Sequence, residues 1–249
     1  MEDLNKNDES ESAEEVFSFP PVRIAVVAHK ENDWFQESVA SFANLNYSDK
    51  QLTVLATGPT EWVEPIVSQY FPDADILEVD PEAGLGANFN AVLNNSDEPA
   101  FYLFCHHDVA LAPDALRLMV EESYRSNAAV VGPKVVNWER PNELLDVGKG
   151  MNRFAATVQR VDAGEIDQEQ FDSVEQVFAI SNTAFLVRAD LFQALGGFDE
   201  AMGMFGEDLD FCWRAQIAGG KIMVVPGAVA RHRYERGEYQ ANPKRRRLM

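Results

Sequence analysis

Two segments of this chain carry side chains able to do chemistry. Residues 101–111, FYLFCHHDVAL, form an apolar, aromatic run that ends in His106, His107 and Asp108. Residues 196–215, GGFDEAMGMFGEDLDFCWRA, make a glycine-rich approach to Glu207, Asp208 and Asp210, at the start of a helical pattern. Imidazoles and a carboxylate at a strand end are donors for a divalent cation. Mg²⁺ prefers oxygen ligands, whereas Mn²⁺ also accepts imidazole. A carboxylate at a helix start can take a proton from a hydroxyl as general base. Together, cation and base suit group transfer in which a metal neutralises charge on a departing diphosphate. Each feature also has an ordinary explanation. Acids in a first turn are favoured by the helix dipole, and a polar strand end is often just solvated.

Groups so far apart in sequence need a rigid frame. Residues 22–28 (VRIAVVA) form the apolar, β-branched run of a buried parallel strand. Trp34, Phe35, Val39 and Phe42 then recur at helical spacing over 32–43. Strands are expected at 51–56, 75–79, 101–105 and 129–136, with helices at 62–70, 86–93 and 113–124 between them. Pro65 and Pro113 fit there only in first turns. Repeated βα units imply right-handed crossovers and ligands beyond the carboxyl ends of the strands. Residues 138–171 mix Gly, Pro, Asn and acids, and read as loops and short hairpins. Further strands are expected at 177–180, 184–187, 222–225 and 229–231, and helices at 189–195 and 207–218. The loop Gly84-Leu85-Gly86-Ala87 is not a dinucleotide fingerprint. It follows the third strand, and Phe89 stands at its third glycine position.

Composition narrows the classes. The chain has 249 residues, enough for one α/β domain, and a net charge of -20 that excludes a nucleic-acid partner. Cys105 and Cys212 lie in apolar runs and read as reduced core residues. No signal pattern or membrane-length apolar run is present, so a cytoplasmic location is expected. Residues 1–18 are acidic and nearly free of apolar side chains, which predicts a disordered tail. The domain proper is expected over 19–235 and a basic tail over 236–249. Arg231, Arg233, Arg236, Lys244, Arg245, Arg246 and Arg247 are either a solubilising end or a patch facing anionic lipid at the inner face of the plasma membrane.

The two chemical segments, and their order, resemble the family 2 glycosyltransferases of the GT-A type. FCHHDV stands where that family carries its metal motif, and GFDEAMGMFGEDLDFCWR where it carries its catalytic base. The resemblance covers residues 20–234. It implies an α/β GT-A fold, with a mainly parallel central sheet flanked by helices. It also implies inverting transfer of a hexosyl or rhamnosyl group from a nucleoside-diphosphate sugar to a hydroxyl. The acceptor would be a glycan or a lipid-linked sugar, as in bacterial rhamnosyltransferase-like enzymes of cell-envelope polysaccharide biosynthesis.

The same resemblance distributes roles. Asp108, matching the second acid of Asp-x-Asp, and His232, at the end of the last strand, would hold Mn²⁺ or Mg²⁺. Asp208 would be the base and Glu207 would orient or bind the acceptor. Ala28, His29 and Glu31 would meet the nucleotide, Gly84, Gly86 and Asn90 would border its diphosphate, and His106 and His107 would face the donor. Trp138, Ser181 and Asn182 would face the acceptor. Arg214 would pair with the acids or sit near phosphate. The chain departs from the pattern twice. His106 replaces the first acid, and Leu55-Ala56-Thr57-Gly58 stands where relatives often carry an Asp for uracil. The altered metal motif keeps a second class open, a non-catalytic nucleotide-sugar-binding module.

Overall fold

A computed structural model describes residues 19–94, 98–154, 156–203 and 206–233. The acidic tail expected over 1–18 and the basic tail expected over 236–249 lie outside the described residues.

The first half alternates strand and helix. It comprises β1 (Val22–Ala28), α1 (Asp33–Ala43), β2 (Lys50–Ala56), α2 (Val63–Tyr70), β3 (Asp75–Glu78), α3 (Leu85–Phe89) and β4 (Phe101–His106). Asn32 caps α1 by accepting from the Phe35 amide at 2.8 Å. Phe35, Val39 and Phe42 are the buried face of that helix, as their spacing requires. The chain continues through β5 (Val109–Leu111), α4 (Ala115–Ser126) and β6 (Ala128–Asn137). Short strands follow: β7 (Leu144–Asp146), β8 (Lys149–Met151), β9 (Thr157–Gln159) and β10 (Glu175–Gln176). The fold closes with β11 (Ala184–Arg188), α5 (Ala189–Ala194), α6 (Glu207–Ile217) and β12 (Lys221–His232).

The main sheet has the order β10-β12-β6-β11-β4-β1-β2-β3, with β5 added to β12 and β7 to β6. From β3 to β4 it is parallel. Beyond β4 it is mixed, because β11 runs antiparallel to both β4 and β6. The parallel half puts the ends of β1, β2 and β4 on one edge. The mixed half brings the end of β12 to the same place, since His232 pairs with Val109 just past β4.

Two expectations are corrected, and one strand is new. Residues 177–180 are not a ladder strand. The Phe178 amide bonds to the Lys149 carbonyl at 2.8 Å, so this stretch is held by the β8 hairpin. The two closing strands are one, β12, which absorbs Pro226-Gly227 in an irregularity between Val225 and Val229. Strand β5 was unforeseen, because three residues after a His-His-Asp turn carry too little pattern.

Side chains alternate across β4. One face packs Leu103 and Cys105 against α1 and α4. The other presents Phe104, whose ring lies 4.8 Å from Phe89, 4.9 Å from Phe192 and 5.2 Å from Phe198. Phe211 of α6 joins this cluster, 5.3 Å from Phe192 and 5.4 Å from Phe198. One aromatic core therefore seats both β4, which ends in His106, and α6, which begins with Glu207.

Candidate active site

The end of β4, the end of β12 and the start of α6 converge. A ligand atom each from His106, Asp108 and His232 lies within 4.8 Å of the others. His232 Nε2 is 3.2 Å from Asp108 Oδ2, and His106 Nδ1 is 4.0 Å from Asp108 Oδ1. His106 Nδ1 and Asp108 Oδ1 are buried and have no hydrogen-bond partner among the described residues. Two buried polar atoms facing each other without partners are costly, and a cation between them would satisfy both. That donor set fits a divalent metal with one carboxylate and imidazole ligands. His106, expected on the donor side, thus belongs to the same cluster as Asp108 and His232.

Asn182 connects this cluster to α6. Its Nδ2 donates to Glu207 Oε1 at 2.7 Å, and its Oδ1 lies 3.0 Å from His106 Nε2. The link depends on β11 pairing with β4, where Ala184 opposes Cys105. Asn182 therefore bridges metal cluster and helix. Ser181 bonds Thr183 at 3.0 Å and lines a cavity of about 570 Å³, together with Asp146, Lys149 and His232.

At the start of α6, Gly206 adopts φ 97°, a left-handed turn that suits glycine. Glu207 is 2% exposed. Its Oε1 accepts from Asn182 Nδ2 at 2.7 Å, and its Oε2 is buried with no hydrogen-bond partner among the described residues. Asp208 Oδ1 accepts from the Leu209 amide at 2.8 Å, and Oδ2 pairs with Lys149 Nζ at 2.9 Å. Lys149 stands on the cavity wall. Sequence reasoning missed it, since a lone lysine in a polar stretch has no signature. Asp146, also missed, lies beside it.

Electrostatics separates these groups. Burial acts against a charged Asp108, but the His232 hydrogen bond and the nearby imidazoles outweigh it and hold the carboxyl well below the usual range. Burial and the neighbouring His232 bring His106 down to about 4, so it is neutral near pH 7. Burial pushes Glu207 up to about 7, with Asp208 adding to the rise. Burial also raises Asp146. Burial opposes the charge on Lys149, yet Asp208 and Asp146 prevail and raise it.

The remaining expected positions are placed as follows. Ala28 ends β1, its carbonyl accepting from the Thr57 amide at 3.0 Å, and His29 Nδ1 is 2.9 Å from Thr57 Oγ1. Glu31 is exposed. The His107 carbonyl accepts from Ser38 at 2.9 Å, which fixes the turn that carries Asp108. Trp138 donates its amide to the His232 carbonyl at 3.0 Å, under the Arg231 guanidinium at 5.0 Å.

Gly84, Gly86 and Asn90 have packing tasks. A Cβ on Gly84 would fall 1.9 Å from the Gly203 carbonyl oxygen, and one on Gly86 3.0 Å from Glu207 Cβ. Asn90 bonds both the amide and the carbonyl of Phe198 at 2.9 Å. These contacts weld α3 to the approach to α6. Arg214 is likewise structural, bound to Asp210 at 2.7 Å and to the Leu195 and Gly197 carbonyls.

The sheet order and the acids gathered at its edge define a GT-A-type fold. The sequence model of glycosyltransferase like family 2 matches residues 20–248, and the chain belongs to that family. Two curated relatives, both named pre-mycofactocin glycosyltransferase and from two strains of Mycobacterium tuberculosis, are 26% identical over 132 residues. That match covers 53% of this chain and 26% of theirs. A solved structure, GalNAc-T7 with UDP, GalNAc and Mn²⁺, superposes with a TM-score of 0.71 at 13% identity, over 90% of this chain and 45% of that one. The chain thus spans under half the length of these proteins. No helix among the described residues is long and apolar enough to cross a membrane.

Proposed function

We propose that this protein transfers a sugar, with inversion, from a nucleoside-diphosphate donor to a hydroxyl of a glycan or lipid-linked acceptor, with a divalent cation. The observation that carries the proposal is the bridge from the His106–Asp108–His232 cluster through Asn182 to the paired acids of α6. Asp108 and His232 hold the cation, which supplies charge neutralisation for the departing diphosphate. The carboxyl ends of β1 and β2, at Ala28, His29 and Thr57, offer a place for the nucleoside. The acceptor enters the cavity beside Lys149 and Ser181. Asp208 accepts the hydroxyl proton on the oxygen it shares with Lys149, whose ammonium orients that carboxylate. The relatives' names and the family support a glycosyltransferase. A hexosyl or rhamnosyl donor, a role in cell-envelope biogenesis and work at the inner membrane face through the basic tail are finer parts of the same proposal.

The test is a panel of nucleotide sugars with Mn²⁺, read as release of the nucleoside diphosphate and as anomeric configuration of the product. The expected result is metal-dependent release by the wild-type chain and release slowed about 10²–10⁴-fold in Asp208→Asn. Tight donor binding with no release and no transfer under any condition would favour the binding-module alternative.

A further inference from the structure

We infer that Asn182 and Glu207 lock His106 in the tautomer that turns Nδ1 toward Asp108, making His106 the third protein ligand of the cation and biasing the site toward Mn²⁺ over Mg²⁺. The inference rests on the divalent-cation site proposed above.

An amide side chain has one donating and one accepting end. Asn182 spends its donor on Glu207 Oε1 at 2.7 Å. Its oxygen therefore faces His106 Nε2 at 3.0 Å, and only an N–H at Nε2 satisfies that contact. A neutral imidazole carries one N–H. The lone pair is then on Nδ1, which is buried and faces Asp108 Oδ1 at 4.0 Å. A structural His–Asp pair would take the other tautomer and close to about 2.8 Å. The wider separation, with acceptors on both sides that have no partner among the described residues, is the spacing of two ligands around an ion.

The lock spans three elements. His106 ends β4 and its amide bonds the Thr183 carbonyl at 3.2 Å, which fixes the Asn182 turn before β11. Glu207 is held from behind by Gly86 of α3. Asn182 and Glu207 are thus positioning residues. They touch neither cation nor substrate, but act through His106. In metal sites the partner that fixes a histidine tautomer is worth about 10–100-fold in affinity. Replacing the first acid of Asp-x-Asp by imidazole also removes an oxygen donor. Mg²⁺ holds its waters and demands oxygen ligands, so it loses most from that exchange.

Pulsed electron paramagnetic resonance of Mn²⁺ bound to the full chain tests this, with Mn²⁺ alone and with UDP, GDP or dTDP. Two coordinated imidazole nitrogens are expected, with one left in His106→Ala. Asn182→Leu and Glu207→Leu should weaken Mn²⁺ binding about 10–100-fold. Glu207→Gln, which keeps the acceptor for Asn182, should stay near wild type. Mg²⁺ should compete at least about tenfold less well than Mn²⁺. A single nitrogen in the wild-type signal, unchanged in His106→Ala, overturns the inference but leaves a metal site on Asp108 and His232. Unchanged Mn²⁺ affinity in Asn182→Leu overturns the lock. If no Mn²⁺ binds with any nucleotide, the metal site itself fails. The wild-type nitrogen count needs no variant to fold.

Discussion

At the β4 end of the site, Asp108 is buried yet held well below the ordinary carboxylate range, while at the α6 end Glu207 is buried and pushed up to about 7. Both lose water, and desolvation alone would raise both. The difference lies in what faces them. Asp108 meets His232 at 3.2 Å and His106 at 4.0 Å. Glu207 meets an amide, and its neighbour in sequence is another acid. Environments that drive two carboxyls apart in this way mark a division of labour. The β4 end keeps a permanent anion for a cation, and the α6 end keeps protons within reach.

Removing the permanent anion should have the largest effect. Asp108→Ala leaves two imidazoles and no carboxylate for the ion. Changes to outer-shell partners already cost about 10–100-fold, so loss of the carboxylate itself should cost more. Calorimetry should show nucleoside diphosphate binding that no longer tightens with Mn²⁺. Equal tightening in wild type and variant would mean the contrast at the two ends has nothing to do with metal.

The α6 end should respond differently. Asp208→Asn keeps shape and much of the hydrogen bonding but cannot take a proton. A fall in kcat of about 10²–10⁴-fold is expected, with donor affinity nearly unchanged. If Glu207→Gln loses turnover while Asp208→Asn keeps it, the base is Glu207.

The weld between α3 and α6 gives a smaller effect on stability. Gly86→Ala puts a methyl 2.9 Å from Phe198 Cβ and 3.0 Å from Glu207 Cβ. Overpacking of this kind costs about 1–3 kcal/mol. Urea denaturation should register it, and kcat should fall as Glu207 shifts, with nucleotide affinity spared. Loss of nucleotide affinity alone, at full stability, would instead favour the diphosphate role expected for Gly86.

The parallel half of the fold was legible because its information is local. The run Val22 to Ala28 is buried throughout, and Asn32 caps the helix its spacing announces. Motif order pointed to Asp108 and His232, which the structure gathers in one cluster. The bridge was not legible. His106 and Asn182 are 76 residues apart, and their contact exists only through the antiparallel β11–β4 register. The Lys149–Asp208 pair, 59 residues apart, arises from a hairpin with no strong pattern. The glycines at 84 and 86 are ambiguous in the sequence for a physical reason. Close approach of a backbone to a phosphate and to another helix both require a missing side chain.

The subtlest difference between the two ends lies in stability against pH. Glu207 has a pKa of about 7 in the fold against 4.5 for the free side chain. A raised pKa means the folded state binds the proton more tightly than the unfolded state does. The stability from this group is therefore complete below about pH 4.5, declines as pH rises, and is lost above about pH 7. Asp108 acts in the opposite sense, because a depressed pKa stabilises above the unfolded value and is lost only in acid. Between these limits the Glu207 contribution slopes downward with rising pH, and Asp108 contributes no slope. Glu207→Gln removes the titration but keeps the bond to Asn182. Urea midpoints of wild type and Glu207→Gln, taken from pH 4.5 to 7.5, should converge toward the acid end of the window and separate toward neutrality, with the variant the more stable there. Parallel midpoints across the window would mean that Glu207 does not titrate in it and that the two ends differ less than their surroundings imply.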